Sequence, residues 1–243
     1  MTPNLISLPY NIGSLTTFGL IIFLAFTIAA FLFFRQTKEE FTDKEEVISL
    51  LTNNLLAWLI GARLVFFLSN FQQFNSLMGF FLPWRYPGLS FVGGYWGVII
   101  ASWYWSKRHS FQIWKTTDGA VIPLLIFFGG FFLGQWLVSQ EAFYLTTMVL
   151  NLLMIALAFW ALKSYRSLTW YPSGKIGFSL LLSNTVFFLG FSLLAFFLSS
   201  GLYLETFLGL GLFFWSLITL YLRSESKSAK ELSERITNLI KND

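Results

Sequence analysis

Seven long apolar runs constrain this chain more than any other feature: about 14–34, 46–68, 89–105, 119–138, 142–162, 176–198 and 201–222. A run of about 20 apolar residues spans about 30 Å of hydrocarbon as a helix. None of the runs alternates with the period of two that a transmembrane barrel strand requires. Inside hydrocarbon each N–H and C=O has to be satisfied without water, and a helix does this within one segment. The pattern predicts an all-α integral membrane protein, a seven-transmembrane-helix bundle. Composition agrees: 56% of the 243 residues are hydrophobic, 12% are charged, and phenylalanine alone supplies 30. A water-soluble fold of this size could not hide that much apolar surface in one core.

Orientation follows from the basic residues. All 16 Lys and Arg residues except Arg63 and Arg85 fall in alternate loops on one side of the bundle. The positive-inside rule makes that side cytoplasmic, with the N-terminus outside and the C-terminus inside. Residues 1–13 hold no Lys or Arg and no small-residue cleavage site follows the first run, so that run reads as a retained span and not a cleaved signal. Two regions emerge: a membrane domain over 1–222 and a short cytoplasmic tail over 223–243. In the tail, Leu232, Ile236, Leu239 and Ile240 recur at helical spacing, as in an amphipathic helix lying on a membrane surface.

Several chemistries are excluded at once. The chain has no cysteine, which removes disulfides, thiol nucleophiles and thiolate metal sites. Its single histidine, His109, sits in the basic run Lys107-Arg108-His109, so no histidine-clustered metal site is expected. The net charge of +4 is scattered over short loops and reads as a topology signal, with no nucleic-acid partner implied. No cofactor is expected.

The two basic residues left over carry most of the functional information. Arg63 lies in Gly61-Ala62-Arg63-Leu64, about 7–8 Å below the outer end of the second helix at 1.5 Å per residue. A charge at that depth has to pair, snorkel or face a polar cavity. Arg85 lies in the outer loop Pro83-Trp84-Arg85-Tyr86-Pro87. One reading has Arg63, with Arg85, holding a phospholipid phosphate through forked hydrogen bonds. The other has Arg63 pairing with Glu141 or Glu205 and pinning helices together. Glu141 is the carboxylate this reading places near an outer cavity, as a polar partner of Arg63. Asp118 begins the fourth helix, where capping of its backbone N–H groups is expected. Gly93/Gly97 and Gly130/Gly134 have the spacing that lets helices approach closely, and read as packing.

The order of motifs resembles the prolipoprotein diacylglyceryl transferase family, best between Ser14 and Ile126 and topologically thereafter. Thr17-Phe18-Gly19-Leu20 is similar to the family's W-Y-G-L, and Gly61-Ala62-Arg63-Leu64 to its second helix. Gly88-Leu89-Ser90-Phe91-Val92-Gly93-Gly94 is similar to G-[LM]-S-F-H-G-G, and Asp118-Gly119-Ala120-Val121-Ile122-Pro123 to D-x-x-A-P. The resemblance implies seven helices in a bacterial plasma (inner) membrane. It also implies transfer of diacylglyceryl from phosphatidylglycerol to a lipobox cysteine, making phosphatidylglycerol and a lipoprotein precursor the expected partners. Ser90, Gly93 and Gly94 join Arg63 and Arg85 as lipid phosphate-binding candidates.

The chain departs from the family where that chemistry is done. Val92 stands at the family's histidine, Phe18 at a tyrosine, Leu133 at the phosphate-binding arginine and Trp136 at an asparagine. Only Glu141 corresponds in that stretch, and the sixth helix lacks the family's arginine and glutamate. Losing one oxyanion or phosphate donor costs about 10²–10³ in rate, and groups that act as a unit fail together. The reading is therefore a degenerate family member, a phospholipid- or partner-binding membrane protein with no confident catalytic residue. The alternative is a divergent active transferase using Arg63, Arg85 and Glu141. A small transporter is a weaker third reading, because no helix interior carries paired charges. Reporters placed ahead of residue 14 and after residue 222 are expected on opposite sides of the membrane, the second in the cytoplasm; finding both on one side would eliminate the seven-span topology.

Overall fold

The computed structural model describes residues 4–7, 14–37, 44–74, 80–81, 88–108, 113–199 and 203–225. Arg85, His109 and the tail beyond Glu225 lie outside the described residues. Seven long helices are present among them: α1 (Thr17–Thr37), α2 (Lys44–Ser69), α3 (Phe91–Arg108), α4 (Ile113–Ser139), α5 (Ala142–Ser164), α6 (Phe178–Leu198) and α7 (Tyr203–Ser224). Six of these are long and apolar enough to cross a membrane, which makes this a multi-pass membrane protein. The exception is α3, 18 residues long, with three glycines and a Lys107-Arg108 end. A short antiparallel pair, β1 (Asn4–Ser7) and β2 (Ser14–Thr16), precedes α1 and was not part of the all-α expectation.

Glycine sets how the helices meet. An added Cβ on Gly61 would run into the Gly93 carbonyl oxygen, and one on Gly97 into the Ala57 carbonyl oxygen. The backbones of α2 and α3 are therefore in direct contact. Gly94 makes room for the Trp58 indole in the same way. On α4, Gly130 faces Ala25 and Gly134 faces Phe18, seating α1. Both sequence pairs are packing surfaces, as small residues in membrane helices usually are. In contrast, α1 and α2 touch only lightly, as do α3 and α4. The α2–α3 pair thus stands partly away from the rest of the bundle, joined to α7 by the Trp96 indole N–H donating to the Leu208 carbonyl at 3.3 Å. Between them, rings from α3, α4 and α6 fill the centre, with Phe91 4.7 Å from both Phe128 and Phe132 and 6.0 Å from Phe191.

Polar side chains in the apolar helices mostly bond their own backbone. Thr147 donates to the Phe143 carbonyl at 2.7 Å, Thr185 to Leu181 at 2.8 Å and Ser216 to Leu212 at 2.7 Å. Asn151 reaches across instead, donating to the Leu125 carbonyl at 2.8 Å where Gly129 leaves space. Asp118 corrects the sequence reading. Because α4 begins at Ile113, Asp118 sits inside its second turn, and its carboxylate accepts the Ser179 N–H at 3.3 Å together with those of Gly177 and Leu180. It caps α6, tying two helices together. Gly177 enters that cap at φ +99, a left-handed conformation, with the Trp114 ring against it.

Gly97→Val forces a side chain into rigid backbone, a strain of about 1–3 kcal/mol. A fall in melting temperature of several degrees in detergent is expected. Gly211→Ala, whose Cβ would meet only the Trp96 ring at 3.5 Å, should leave it unchanged. Equal melting temperatures for the two variants would contradict the α2–α3 contact.

Candidate functional site

The site begins at Arg63, 7% exposed on α2. Its Nε donates to the Phe80 carbonyl at 3.0 Å and its Nη1 to the Gly88 carbonyl at 3.2 Å. The rings of Phe66 and Phe74 lie 5.6 and 5.7 Å from the guanidinium carbon. The interior therefore meets this charge with carbonyl dipoles and aromatic faces, which suit a weakly hydrated guanidinium. Arg63 ties the segment ahead of α3 down onto α2, and the Ser90 N–H adds a bond to the Ala62 carbonyl at 3.0 Å.

Ser90 is fully buried and caps α3, its Oγ accepting the Gly93 N–H at 3.1 Å. The Gly94 N–H is bonded to the Ser90 carbonyl. Both glycine N–H groups considered for a phosphate are thus engaged within the helix start. The Glu205 carboxylate, in the first turn of α7, lies close to the Ser90 hydroxyl. Glu205, not Glu141, lines the pocket here, with Gln135 of α4 and Tyr144 of α5. Glu141 is exposed ahead of α5. The remaining lining is apolar, chiefly Phe91, Phe131, Phe132, Phe143 and Phe191. The pocket measures about 20 Å³, room for about one water molecule.

Val92 is completely buried in the aromatic core. Phe18 packs edge-on to Phe131 at 5.6 Å, where the family's tyrosine would offer a hydroxyl. Leu133 and Trp136 are half-buried, and neither lines the pocket. Among the described residues, this end gathers one carboxylate, one amide, a serine hydroxyl and a phenol around a space the size of a water, with the Arg63 guanidinium nearby. Glu205 was legible as an acidic residue near Arg63. Gln135 and Tyr144 gave no signal above their apolar surroundings.

A second, much larger cavity of about 600 Å³ lies toward the opposite, basic end of the bundle. Residues of α1, α2, α3, α4, α6 and α7 line it, and nearly all are apolar. Its polar lining includes Asn54 and Ser102, hydrogen-bonded at 3.1 Å, and Tyr95, whose hydroxyl accepts from the Asn184 amide. Asn184, in the second turn of α6, is the residue that could have signalled this pair. Among the described residues, no group of three His, Cys, Asp or Glu side chains is placed to hold a metal ion.

The sequence has known relatives. The family model for prolipoprotein diacylglyceryl transferase matches residues 3–227. A phosphatidylglycerol–prolipoprotein diacylglyceryl transferase of Glaesserella parasuis is 32% identical over 131 residues, 51% of this chain and 48% of the relative. That of Neisseria gonorrhoeae is 35% identical over 86 residues, 34% and 29% of the two chains. That of Thermotoga maritima is 28% identical over 142 residues, 55% and 46%. The matched stretches span about half or less of these relatives' length. With nearly the whole chain covered by the family model and the glycine-rich start of α3 in place, the chain belongs to the prolipoprotein diacylglyceryl transferase family.

Proposed function

We propose that this chain is a phospholipid-binding member of its family in a bacterial inner membrane, with the transfer reaction lost or nearly so. All seven helices cross the bilayer in this reading. The Arg63 end faces outward and the basic end, with the amphipathic tail over 223–243, faces the cytoplasm. The carrying observation is the size and lining of the outer pocket: about 20 Å³, walled by five phenylalanines. Transfer of diacylglyceryl to a thiol needs a base for the thiol proton, donors for the phosphate and room for two lipidic substrates. Val92 cannot accept a proton, and its burial in apolar surroundings would penalise a thiolate nearby. Arg63, Ser90, Gly93 and Gly94 are elements that hold the lipid-facing end of the bundle in the family's shape.

One observation favours a second reading, a divergent active transferase: the curated relatives are named as transferases. Glu205 would then be the base, in contact with Ser90 and close to the segment Arg63 holds, with Glu141 at the rim.

The two readings separate in cells whose own transferase can be depleted. Expressing this chain there is expected to leave a reporter lipoprotein unlipidated, and Val92→His alone is expected not to restore lipidation. Lipidation by the unaltered chain would establish the second reading, and Glu205→Gln should then reduce it by about 10²-fold or more, as for loss of a general base.

A further inference from the structure

The outer pocket and its fate do not account for the large cavity at the basic end. Its volume of about 600 Å³ falls within the range of about 300–1,000 Å³ typical of ligand sites. A void that size deprives its whole lining of dispersion contacts. The walls define a chain-like apolar occupant: Phe26, Ala29, Leu55, Val98, Leu124 and Phe127 contribute no polar atom from their side chains. The cavity also reaches the protein surface within the membrane, since Ile100 and Trp103 both line it and are 60% and 57% exposed. An amphiphile can enter from the side without leaving the bilayer.

The rim specifies the head group. Two of the lining residues, Trp103 and Trp114, each carry a cation on the ring face. The Lys107 ammonium is 3.9 Å from the Trp103 ring centroid, and the Arg223 guanidinium carbon is 3.9 Å from that of Trp114. These cations come from the ends of α3 and α7. Arg223 donates from one Nη to the Ile176 carbonyl at 2.6 Å, while its buried Nε has no acceptor among the described residues. Of the nearby acids, Asp118 caps α6 and lies within electrostatic reach of Arg223, as does the Tyr171 hydroxyl, and Glu225 pairs with Lys175. Deeper in, Trp58 is 4% exposed and lines the cavity, its indole N–H packed against Gly94 with no acceptor among the described residues. Asn54, joined to Ser102, adds an amide at the same wall. Cations at the rim and the Asn54 amide inside, around an apolar shaft, match a phosphate and an ester carbonyl on an acyl chain.

We infer that this cavity binds one acyl chain of an anionic glycerophospholipid taken from the leaflet at the basic end, with the phosphate at the rim formed by Lys107 and Arg223. The site is separate from the Arg63–Ser90–Glu205 end and offers no base or nucleophile positioned for transfer, so the lipid is a bound companion of the fold and not a substrate. It does not rest on the outer pocket being inactive, because the two lie at opposite ends of the bundle.

The test uses the full chain in nanodiscs containing a phospholipid with a photoactivatable acyl chain, carried either on phosphatidylglycerol or on phosphatidylcholine. Label is expected on residues 50–58 and 98–103, with phosphatidylglycerol favoured about tenfold, equivalent to ~1.4 kcal/mol. The double variant Lys107→Gln/Arg223→Gln should remove that preference while leaving the labelled positions unchanged. Ala120→Phe, which fills the cavity, should remove the label itself; if it lowers the melting temperature, the double variant decides alone. Equal labelling by both lipids, or label centred on residues 61–66 and 88–93, would overturn the inference. The lipidation assay has no bearing on either result.

Discussion

The contact between α2 and α3 at Gly61, Gly93 and Gly97 decides the geometry of everything around it. Hydrocarbon offers no hydrophobic gain for bringing two helices together, so close packing and hydrogen bonds have to supply the association. With backbones touching, the Ser90 N–H can reach the Ala62 carbonyl, and the Arg63 side chain on the next residue can reach Gly88. The same approach turns Val92 into the aromatic core and seats Trp58 against Gly94, edge-on to Phe127 and Phe131 at 5.1 and 5.8 Å. Because α2 and α3 satisfy one another so closely, they need little from α1 and α4, and the space left over becomes the large cavity.

Arg63 shows how costly polarity is managed inside this framework. A guanidinium below the membrane surface has to find acceptors in the protein. Here it finds two backbone carbonyls from the segment before α3, groups that would themselves lack partners in an irregular segment. The charge and the irregular backbone solve each other's problem. That arrangement serves architecture whether or not a phosphate is ever bound. It explains how a motif like Gly61-Ala62-Arg63-Leu64 persists in a chain whose histidine position has become valine.

Helix identity and length were legible because continuous apolar runs admit few alternatives. The expected 46–68 and 142–162 became Lys44–Ser69 and Ala142–Ser164. The start of α4 was not legible: Lys115, Thr116, Thr117 and Asp118 look like a loop, yet they form helix beyond the apolar run. The role of Asp118 followed from that shift, since its partners belong to a helix about 60 positions later. Glu141 and Glu205 were both assigned to the Arg63 end, but which one faces the pocket depends on helix rotation and packing, not on depth. Tyr95 and Asn184 could be noticed singly as polar residues in apolar helices; their pairing is purely tertiary.

The two ends of the bundle are lined differently. At the Arg63 end, phenylalanines converge on a pocket of about 20 Å³. At the basic end the lining of the larger cavity is nearly all apolar, which suits an acyl chain, and the cations Lys107 and Arg223 stand on two of its tryptophans. Chemistry at one end and lipid recognition at the other can therefore vary independently. Function resides in the site and not in the fold, and the two pockets of this fold, at opposite ends, have to be judged separately.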